Sequence, residues 1–243
     1  MIALPLNGIG ENRVLFAPLV KQRSSSFRTT IQRHKMFDIC GTRIATLRRG
    51  LRRFSQPNML WVSLSSFGLD EIANLRAYAE SQPMRPARAE VRHKDSTVFQ
   101  DFDICFPAPA VGAMQRASIC LQGCINAAAV GETFFPDGTV LEFNDFAVQR
   151  YAAGSRGIGI HRDAARYREL VAIVTLAGQS RLFATPTRQA SFRRAIDDRP
   201  GRLVLLSAPG FAGRTTQNGR PFHGVDRLSA GRLSLGLRCN SIV

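Results

Sequence analysis

The sequence predicts an α+β protein in which a β-sandwich or jelly roll carries helices packed on its outside. Two segments with helical spacing of apolar residues come before Gly131. After Gly131 the chain consists of short runs rich in Val, Leu, Phe and Ile, which Gly, Pro, Asp and Asn separate. Many short strands with frequent turn residues are typical of sandwiches and jelly rolls. With 243 residues, of which 44% are hydrophobic, the chain can bury one sizeable core.

Two helices are predicted before residue 131. Apolar residues recur at helical spacing from Leu69, so residues 69–82 are predicted to form a helix that Pro83 ends. In residues 111–129, small and apolar side chains dominate, and Arg116 is the one charged residue. We therefore expect the second helix to be buried against a sheet.

The strands follow a turn at residues 135–138. This Phe-Pro-Asp-Gly segment is predicted to turn because Pro presets φ and Gly accepts a positive φ. Eight short apolar runs after it are predicted to be strands, at residues 139–143, 146–151, 158–163, 170–177, 181–185, 202–207, 221–225 and 232–238.

Positive charge is concentrated near the start of the chain. The first 60 residues contain eleven Lys and Arg and two acidic residues. We predict a basic, poorly ordered arm over residues 1–56, followed by one domain over residues 57–243. Its helical support would span residues 57–130, and its β core would span residues 131–243. The arm could bind nucleic acid, be a targeting segment with Met36 as an alternative start, or be a solvated extension.

Composition argues against several classes of protein. No run of 18 apolar residues occurs, so no membrane span is expected. The five cysteines form no Cys-x-x-Cys pair and are odd in number, which argues against a disulfide scaffold and a thiolate zinc site. Residues 1–9 do not have the pattern of a secretory leader, so we expect an intracellular protein in the cytoplasm. A net charge of +15 favours nucleic acid as a partner, and the oligomeric state is left open.

The most informative motif is His161-Arg162-Asp163. In an extended strand the side chains at i and i+2 share one face, so His161 and Asp163 can offer a nitrogen and an oxygen to one metal ion. A distant His223 would complete a set of two histidines and one carboxylate. Such a set leaves positions open on the metal and is typical of Fe(II) enzymes that activate O2.

The last predicted strand, residues 232–238, alternates without interruption. Its three leucines line one face, and the other face carries Arg232, Ser234, Gly236 and Arg238. A face with a charge at each end and small residues between them is poorly suited to a core. Because Arg offers fixed, bidentate geometry to carboxylates, this face could bind a small dianion. Alternatively, it is a solvent-facing strand in an arginine-rich protein.

A longer stretch around the His-x-Asp motif resembles a known family. Residues 143–151 read Phe-Asn-Asp-Phe-Ala-Val-Gln-Arg-Tyr, and they lead through Gly154 to His161 and Asp163. This order is similar to that in the AlkB-like branch of the Fe(II)/2-oxoglutarate-dependent dioxygenases, whose motif has Phe-Asn, then Asn-Arg-Tyr, a Gly and His-x-Asp. The resemblance extends more loosely over residues 202–238.

The resemblance implies a double-stranded β-helix, which is a form of jelly roll, and an iron centre. Fe(II) would be held by His161, Asp163 and His223, with 2-oxoglutarate as the cosubstrate and O2 as the oxidant. The domain over residues 57–243 would then be a dioxygenase domain.

The resemblance also implies which residues hold 2-oxoglutarate. Arg232 would pair with its distal carboxylate, Tyr151 would hydrogen-bond to it, and Arg238 would approach the carboxylate next to the keto group. Gln149 stands where the family usually has Asn and could also contact the cosubstrate. Ser234 shares a strand face with the two arginines and is included in the predicted site.

Family chemistry implies hydroxylation or oxidative demethylation, with the substrate left open. A methylated or alkylated nucleic acid is favoured by the resemblance and by the basic charge. A small molecule or amino acid is favoured by Ala164 and Ala165, which stand where family repair enzymes usually have acidic residues, and by the lack of a clear aromatic platform for a base. A protein side chain is the third class. A basic nucleic-acid-binding module without turnover is the non-enzymatic alternative, and a zinc hydrolase is a weaker one.

Overall fold

The computed structural model describes residues 37–93, 96–189 and 191–242. Within these ranges the helices are α1 (Gly41–Phe54), α2 (Leu69–Glu80) and α3 (Gly112–Ala129), with a 3-10 turn at Phe211–Gly213. The strands are β1 (Trp61–Ser65), β2 (Arg85–Pro86), β3 (Glu90–His93), β4 (Ser96–Asp101), β5 (Asp103–Cys105), β6 (Asp145–Tyr151), β7 (Gly157–His161), β8 (Tyr167–Gly178), β9 (Arg181–Thr185), β10 (Arg194–Ile196), β11 (Arg202–Ser207), β12 (Phe222–Asp226) and β13 (Arg232–Asn240). Among the described helices, none is long and apolar enough to cross a membrane.

The strands form two sheets in which all neighbours are antiparallel. The major sheet has seven strands in the order β1-β11-β8-β13-β6-β5-β2, and the minor sheet has six in the order β10-β9-β12-β7-β4-β3. This order brings strands that are distant in sequence side by side. β7 and β12 are neighbours in the minor sheet, and β6, β13 and β8 are neighbours in the major sheet.

Side chains of the major sheet alternate between two hydrophobic clusters. On β11, Leu203 and Leu205 pack in one cluster with buried residues of all three helices. Val204 and Leu206 belong to a second cluster, which they share with apolar residues of the minor sheet. Because successive side chains of a strand point to opposite faces, the helices cover the outer face of the major sheet, and the second cluster lies between the two sheets.

The predicted α+β class with outer helices is confirmed at this level of detail. Both predicted helices are present and end within two residues of their predicted bounds. Of the predicted strands, those from residue 146 onward all overlap observed strands. These segments are short runs of mainly apolar residues between turn residues, which is the pattern of strands.

Residues 139–143 do not form the predicted strand. The Asn126 side chain on α3 donates to the Leu141 carbonyl oxygen and accepts from the Leu141 N–H, both at 2.9 Å. The Phe143 N–H donates to the side-chain oxygen of Gln122 at 3.2 Å. Side chains of α3 therefore form the hydrogen bonds that a partner strand would otherwise form with this backbone. The apolar alternation is real, because Leu141 and Phe143 are buried in the cluster beneath the helices.

The segment 57–130 was predicted as helical support, and it also supplies strands to both sheets. β1 forms one edge of the major sheet, β5 pairs with β6, and β4 pairs with β7. These strands have three to six residues and contain many polar side chains, so their apolar alternation is too weak to predict them. The three-residue β10 lacks a sequence signal for the same reason.

The prediction of a poorly ordered arm over residues 1–56 is wrong for its last part. α1 is a 14-residue helix whose buried positions have the i, i+3, i+4, i+7 spacing of an amphipathic helix, namely Leu47, Gly50, Leu51 and Phe54. Arginines lie between these buried positions, so the apolar spacing of the helix is difficult to recognise in the sequence. The rest of the predicted arm, residues 1–36, lies outside the described residues.

Arginines of α1 bond within the domain. Arg43 forms an ion pair with Glu71 of α2 at 2.7 Å. Arg48 donates to the backbone oxygens of Ala127 and Ala128 at 2.9 and 3.0 Å, at the C-terminal end of α3, where a cation complements the helix dipole. Part of the positive charge assigned to the arm therefore supports the fold.

Candidate metal centre

Two neighbouring strands of the minor sheet bring the predicted metal ligands together. His161 ends β7 and is the register partner of His223 on β12. Asp163 lies just after β7, which ends at His161, two residues before the predicted end of the strand. The Asp163 carboxylate nevertheless reaches both imidazoles.

The potential donor atoms of these three residues are clustered. One nitrogen from each imidazole and one carboxylate oxygen all lie within 4.8 Å of one another. His223 Nε2 is 3.8 Å from Asp163 Oδ2, and the centroids of the His161 and His223 rings are 4.3 Å apart. Atoms that bind one ion at roughly 2.1 Å each are at most about 4.2 Å apart, so small side-chain movements are enough to close this set around a metal.

Backbone carbonyl groups orient both imidazoles. His161 Nδ1 lies 2.9 Å from the Gly159 oxygen, and His223 Nδ1 lies 3.2 Å from the Pro221 oxygen. Because a carbonyl oxygen can only accept, each Nδ1 carries a proton and donates it, so Nε2 is the nitrogen of each ring that is left for a metal. This contact fixes the orientation of a ligand histidine and leaves the other nitrogen for a metal.

The surroundings keep His161 and Asp163 in the protonation states that metal binding requires. Burial, followed by the effect of His223, lowers the pKa of His161 to about 4, so its ring is neutral at pH 7. Burial by itself would raise the pKa of Asp163, but His223 and Arg238 outweigh burial and lower that pKa below its usual value. A neutral imidazole and an ionised carboxylate can bind a metal without first losing a proton.

The alternation predicted for the last strand is present in β13. Its three leucines belong to the cluster beneath the helices. Arg232, Gly236 and Arg238 line an interior cavity that all three candidate ligands also line. Ser234 is buried on the same strand face but does not line that cavity. The solvent-facing alternative for this strand is wrong, because the exposed fraction of Arg232 is 3%.

β6 supplies the other residues predicted to hold the cosubstrate. Tyr151 is the register partner of Arg232, and Gln149 is the register partner of Ser234. Both Tyr151 and Gln149 line the interior cavity. The ring of Tyr151 packs against Phe102 with centroids 4.8 Å apart. Burial raises the pKa of Tyr151, so its hydroxyl keeps the proton and can donate it.

Three buried polar atoms in this region have no hydrogen-bond partner among the described residues. They are Arg232 Nε, Arg238 Nε and Thr175 Oγ1. Thr175 is on β8, opposite Ser234 of β13. Leaving a buried donor unpaired costs about 1–3 kcal/mol, more for a charged group, so a ligand that accepts hydrogen bonds here would be stabilised. The carboxylates of a small diacid are such acceptors.

A buried carboxylate that the sequence analysis did not identify contacts Arg232. Asp198, between β10 and β11, is 7% exposed and forms an ion pair with Arg232 Nη1. The same nitrogen donates to Ser180 Oγ at 3.0 Å. Burial lowers the pKa of Arg232 to about 10, so the guanidinium is charged at pH 7. Asp198 therefore holds Arg232 in place and partly neutralises it, while Nε remains unpaired.

Asp198→Asn is expected to lower the free energy of unfolding by about 2 kcal/mol, because a hydrogen bond to a charged group is worth roughly 1.5–3 kcal/mol and the Arg232 charge would lose its buried counter-ion. Urea denaturation of the metal-free protein measures this change. Asp197→Asn is the matched control, because the adjacent Asp197 pairs with Arg199 and Arg202 near the surface. We expect it to cost about 1 kcal/mol or less. Equal costs at the two positions would contradict the assignment to Asp198.

An outer cleft adjoins the interior cavity. It has a volume of about 580 Å³, which lies within the range of roughly 300–1,000 Å³ that is usual for ligand sites. The cleft shares His161, Asp163, Gln149 and Arg238 with the cavity. A molecule in the cleft would therefore lie next to the candidate metal ligands.

The walls of the cleft differ in chemistry. One wall is cationic and includes Arg162, Arg188 and Arg220, and Asp163 is the one acidic residue among those that line the cleft. The other wall is apolar and includes Phe102 and Phe106. No pattern in the sequence indicated this wall, because the short strands near it were not predicted.

Comparisons with known proteins relate the chain to solved structures. No family model matches the sequence, and a search of curated proteins finds no match. A prolyl-4-hydroxylase from Pseudomonas putida is 18% identical with a TM-score of 0.56, over 80% of this chain and 99% of that chain. An oxidoreductase of the 2OG-Fe(II) oxygenase family from Burkholderia pseudomallei is 16% identical with a TM-score of 0.52, over 82% and 91%.

A third match is a prolyl hydroxylase from Trichoplax adhaerens, solved with a peptide fragment of hypoxia inducible factor. It is 14% identical with a TM-score of 0.56, over 82% of this chain and 91% of that chain. At these identities the likeness concerns the fold. The chain has the fold of these hydroxylase and 2OG-Fe(II) oxygenase structures.

Proposed function

We propose that the protein is an Fe(II)/2-oxoglutarate-dependent dioxygenase of the AlkB-like type, with its two sheets forming a double-stranded β-helix. The observation that carries the proposal is the meeting of two histidines, one carboxylate and two arginines around one interior cavity, namely His161, Asp163, His223, Arg232 and Arg238. The fold of the matched structures supports it.

The residues of the cavity fit both Fe(II) and 2-oxoglutarate. Two imidazole Nε2 atoms and one carboxylate form the donor set of non-haem Fe(II) oxygenases, and they leave coordination positions for other ligands. The unpaired Nε atoms of Arg232 and Arg238 can donate to the carboxylates of 2-oxoglutarate. When bound, Fe(II) with 2-oxoglutarate and O2 would supply the oxidation of a substrate C–H bond, coupled to decarboxylation of 2-oxoglutarate to succinate.

The residues of the chain would bind and orient the cosubstrate, and they would exclude water from the cavity. Arg232, held by Asp198, would bind the distal carboxylate of 2-oxoglutarate, to which Tyr151 would donate its hydroxyl proton. Arg238 would approach the carboxylate beside the keto group, and Gln149 would contact the cosubstrate from β6. Apolar residues complete the cavity wall and keep water from this polar set; they include Ile158, Val171, Leu182 and Val225.

For the substrate we propose a methylated or alkylated nucleic acid. The cationic wall of the outer cleft would attract phosphates, and the net charge of +15 would increase this attraction. The apolar wall offers Phe102 and Phe106 for contact with an unstacked base. If the oxidised carbon is an N-methyl group, hydroxylation gives an N-hydroxymethyl group, which releases formaldehyde and leaves the unmethylated base.

An N-methylated single-stranded oligonucleotide is expected to increase succinate formation and to yield formaldehyde in equal amount. The measurement is the initial rate of both products with Fe(II), 2-oxoglutarate and air. The unmethylated oligonucleotide of the same sequence is the control, because it has the same phosphates and bases but lacks the methyl group. It should leave the rate at its value without substrate.

Two results would contradict the proposal at different levels. In the first, amino acids or other small molecules increase succinate formation and no tested oligonucleotide does. This result would reject nucleic acid as the substrate but would agree with the proposed dioxygenase. The absence of succinate under all conditions, in folded protein that contains Fe(II), would reject the dioxygenase itself.

A further inference from the structure

Three arginines of the outer cleft form a group that the iron and cosubstrate roles do not use. Arg162 lies between the ligands His161 and Asp163 in sequence, and Arg188 and Arg220 come from the segments after β9 and before β12. All three line the outer cleft and are half-buried. Their side chains therefore meet from three separate parts of the chain.

Uncharged groups of the protein hold these arginines in position. Arg188 Nη1 donates to the Ile160 oxygen at 2.7 Å, and Arg220 Nη1 donates to the Asp163 backbone oxygen at 2.8 Å. The guanidinium of Arg162 lies 4.0 Å from the ring centroid of Phe222, and that of Arg188 lies 5.6 Å from the same centroid. Backbone oxygens and an aromatic face can orient a guanidinium without neutralising it.

No carboxylate among the described residues forms an ion pair with any of the three. Arg162 Nε is buried and has no hydrogen-bond partner within the described ranges. The three arginines therefore carry positive charge that no described carboxylate neutralises, and a bound anion would neutralise it.

We propose that Arg162, Arg188 and Arg220 form a binding site for one phosphate group of the substrate, beside the metal centre. Arginine offers paired N–H donors that match phosphate oxygens, and three of them from different directions suit a group with several oxygens. The proposal rests on the proposed function, because it assigns a role within the substrate cleft of that enzyme. The phosphate could be a diester within a strand or the monoester of a free nucleotide.

The apolar residues that line the cleft explain why a nucleotide fits better than an inorganic anion. Phe102, Ile104 and Phe106 line the same cleft as the arginines. A nucleotide has an apolar base face at one end and a phosphate at the other, so it can contact both walls at once. Arg162 and Asp163 are adjacent in sequence, so a phosphate bound by the arginines would keep the rest of the nucleotide close to the metal ligands.

The test is equilibrium binding of four related probes to the full chain loaded anaerobically with Fe(II) and 2-oxoglutarate. The probes are adenosine, adenosine 5′-monophosphate, adenosine 5′-carboxylic acid and the dinucleotide ApA, which has a diester and no monoester. We expect the monophosphate or ApA to bind roughly 10-fold or more tightly than adenosine, as charge-assisted hydrogen bonds imply. Preference for one of these two identifies the monoester or the diester as the source.

Variants connect this preference to two of the three arginines. Arg162→Gln and Arg188→Gln are expected to lower affinity for the preferred phosphate probe roughly 10-fold each, and to leave affinity for adenosine unchanged. Arg76→Gln is the matched control for the loss of one charge, because Arg76 pairs with Glu80 on exposed α2. It should leave the affinities for all four probes unchanged.

Three results would overturn the phosphate site. The first is equal binding of adenosine and both phosphate probes. The second is binding of the carboxylic acid as tight as that of the preferred phosphate probe. The third is a loss of affinity in Arg76→Gln equal to that in Arg188→Gln. The visible absorption band that 2-oxoglutarate produces with bound Fe(II) is recorded in the same samples. A normal band without phosphate preference would reject the arginine site alone, whereas a missing band in folded protein would reject the proposed function.

Discussion

His223→Ala is expected to abolish Fe(II) binding and activity. His223 is 4% exposed, its Nε2 lies 3.8 Å from Asp163 Oδ2, and its Nδ1 is already committed to the Pro221 oxygen. Removing a group outside the ligand set of a metal typically costs 10–100-fold in affinity or activity, and removing a ligand should cost more than about 100-fold. The measurements are Fe(II) content after anaerobic dialysis and the visible band that 2-oxoglutarate produces.

Controls separate loss of metal from loss of fold. The metal-free variant should retain the circular dichroism spectrum of the metal-free wild type, and added Fe(II) should raise the melting temperature of the wild type but not that of the variant. Asp103→Ala removes a carboxylate outside the site, where Asp103 pairs with the exposed Arg150, and should keep full Fe(II) content. Stoichiometric Fe(II) in His223→Ala would disprove the assigned ligand set.

Gly157→Ala is expected to destabilise the protein by about 4 kcal/mol, at the upper end of single-substitution effects. Gly157 has a φ of +83°, and an added Cβ would overlap the Val225 carbonyl oxygen and lie 2.8 Å from the Val225 carbonyl carbon. Both contacts are with the backbone, so β7 and β12 would have to separate. Because these strands carry His161 and His223, the substitution should also weaken metal binding.

Gly154→Ala is the matched control for Gly157→Ala. Gly154 has a similar φ of +77°, but an added Cβ there would meet no atom within 4 Å. The left-handed backbone alone costs an L-residue about 1–2 kcal/mol, so we expect a loss in that range. Urea denaturation of both metal-free variants gives the comparison. A cost at Gly157 no greater than that at Gly154 would show that the close approach of the two strands is unimportant.

Local patterns were sufficient where one segment decides its own structure. The alternation of β13 places leucines on one face and arginines on the other whatever the neighbouring strands are, because side chains of a strand alternate. The spacing of α2 and α3 likewise reflects a helical period within a single segment. In α1 the same period is present, but the arginines between its buried positions conceal it.

Local patterns failed where a distant segment decides the outcome. The alternation at residues 139–143 resembles that of a strand, but Asn126 and Gln122 of α3 occupy the backbone groups that a partner strand would need. The aromatic wall of the cleft was missed for a related reason. Phe102 and Phe106 lie near short polar strands, which are stabilised by pairing with β6 and β7 rather than by their own sequence.

The α+β class and the strand face that carries Arg232 and Arg238 could be predicted from residue types and from periods within single segments. The candidate ligands His161, Asp163 and His223 could be predicted from a local motif together with a family resemblance. Which arginines are neutralised could be learned only from the three-dimensional packing. Arg232 pairs with an aspartate 34 positions away, whereas the three arginines of the outer cleft pair with no described carboxylate. The Coulomb energy of a pair depends on the distance between the two charges and on their burial, and the packing of separate segments sets both.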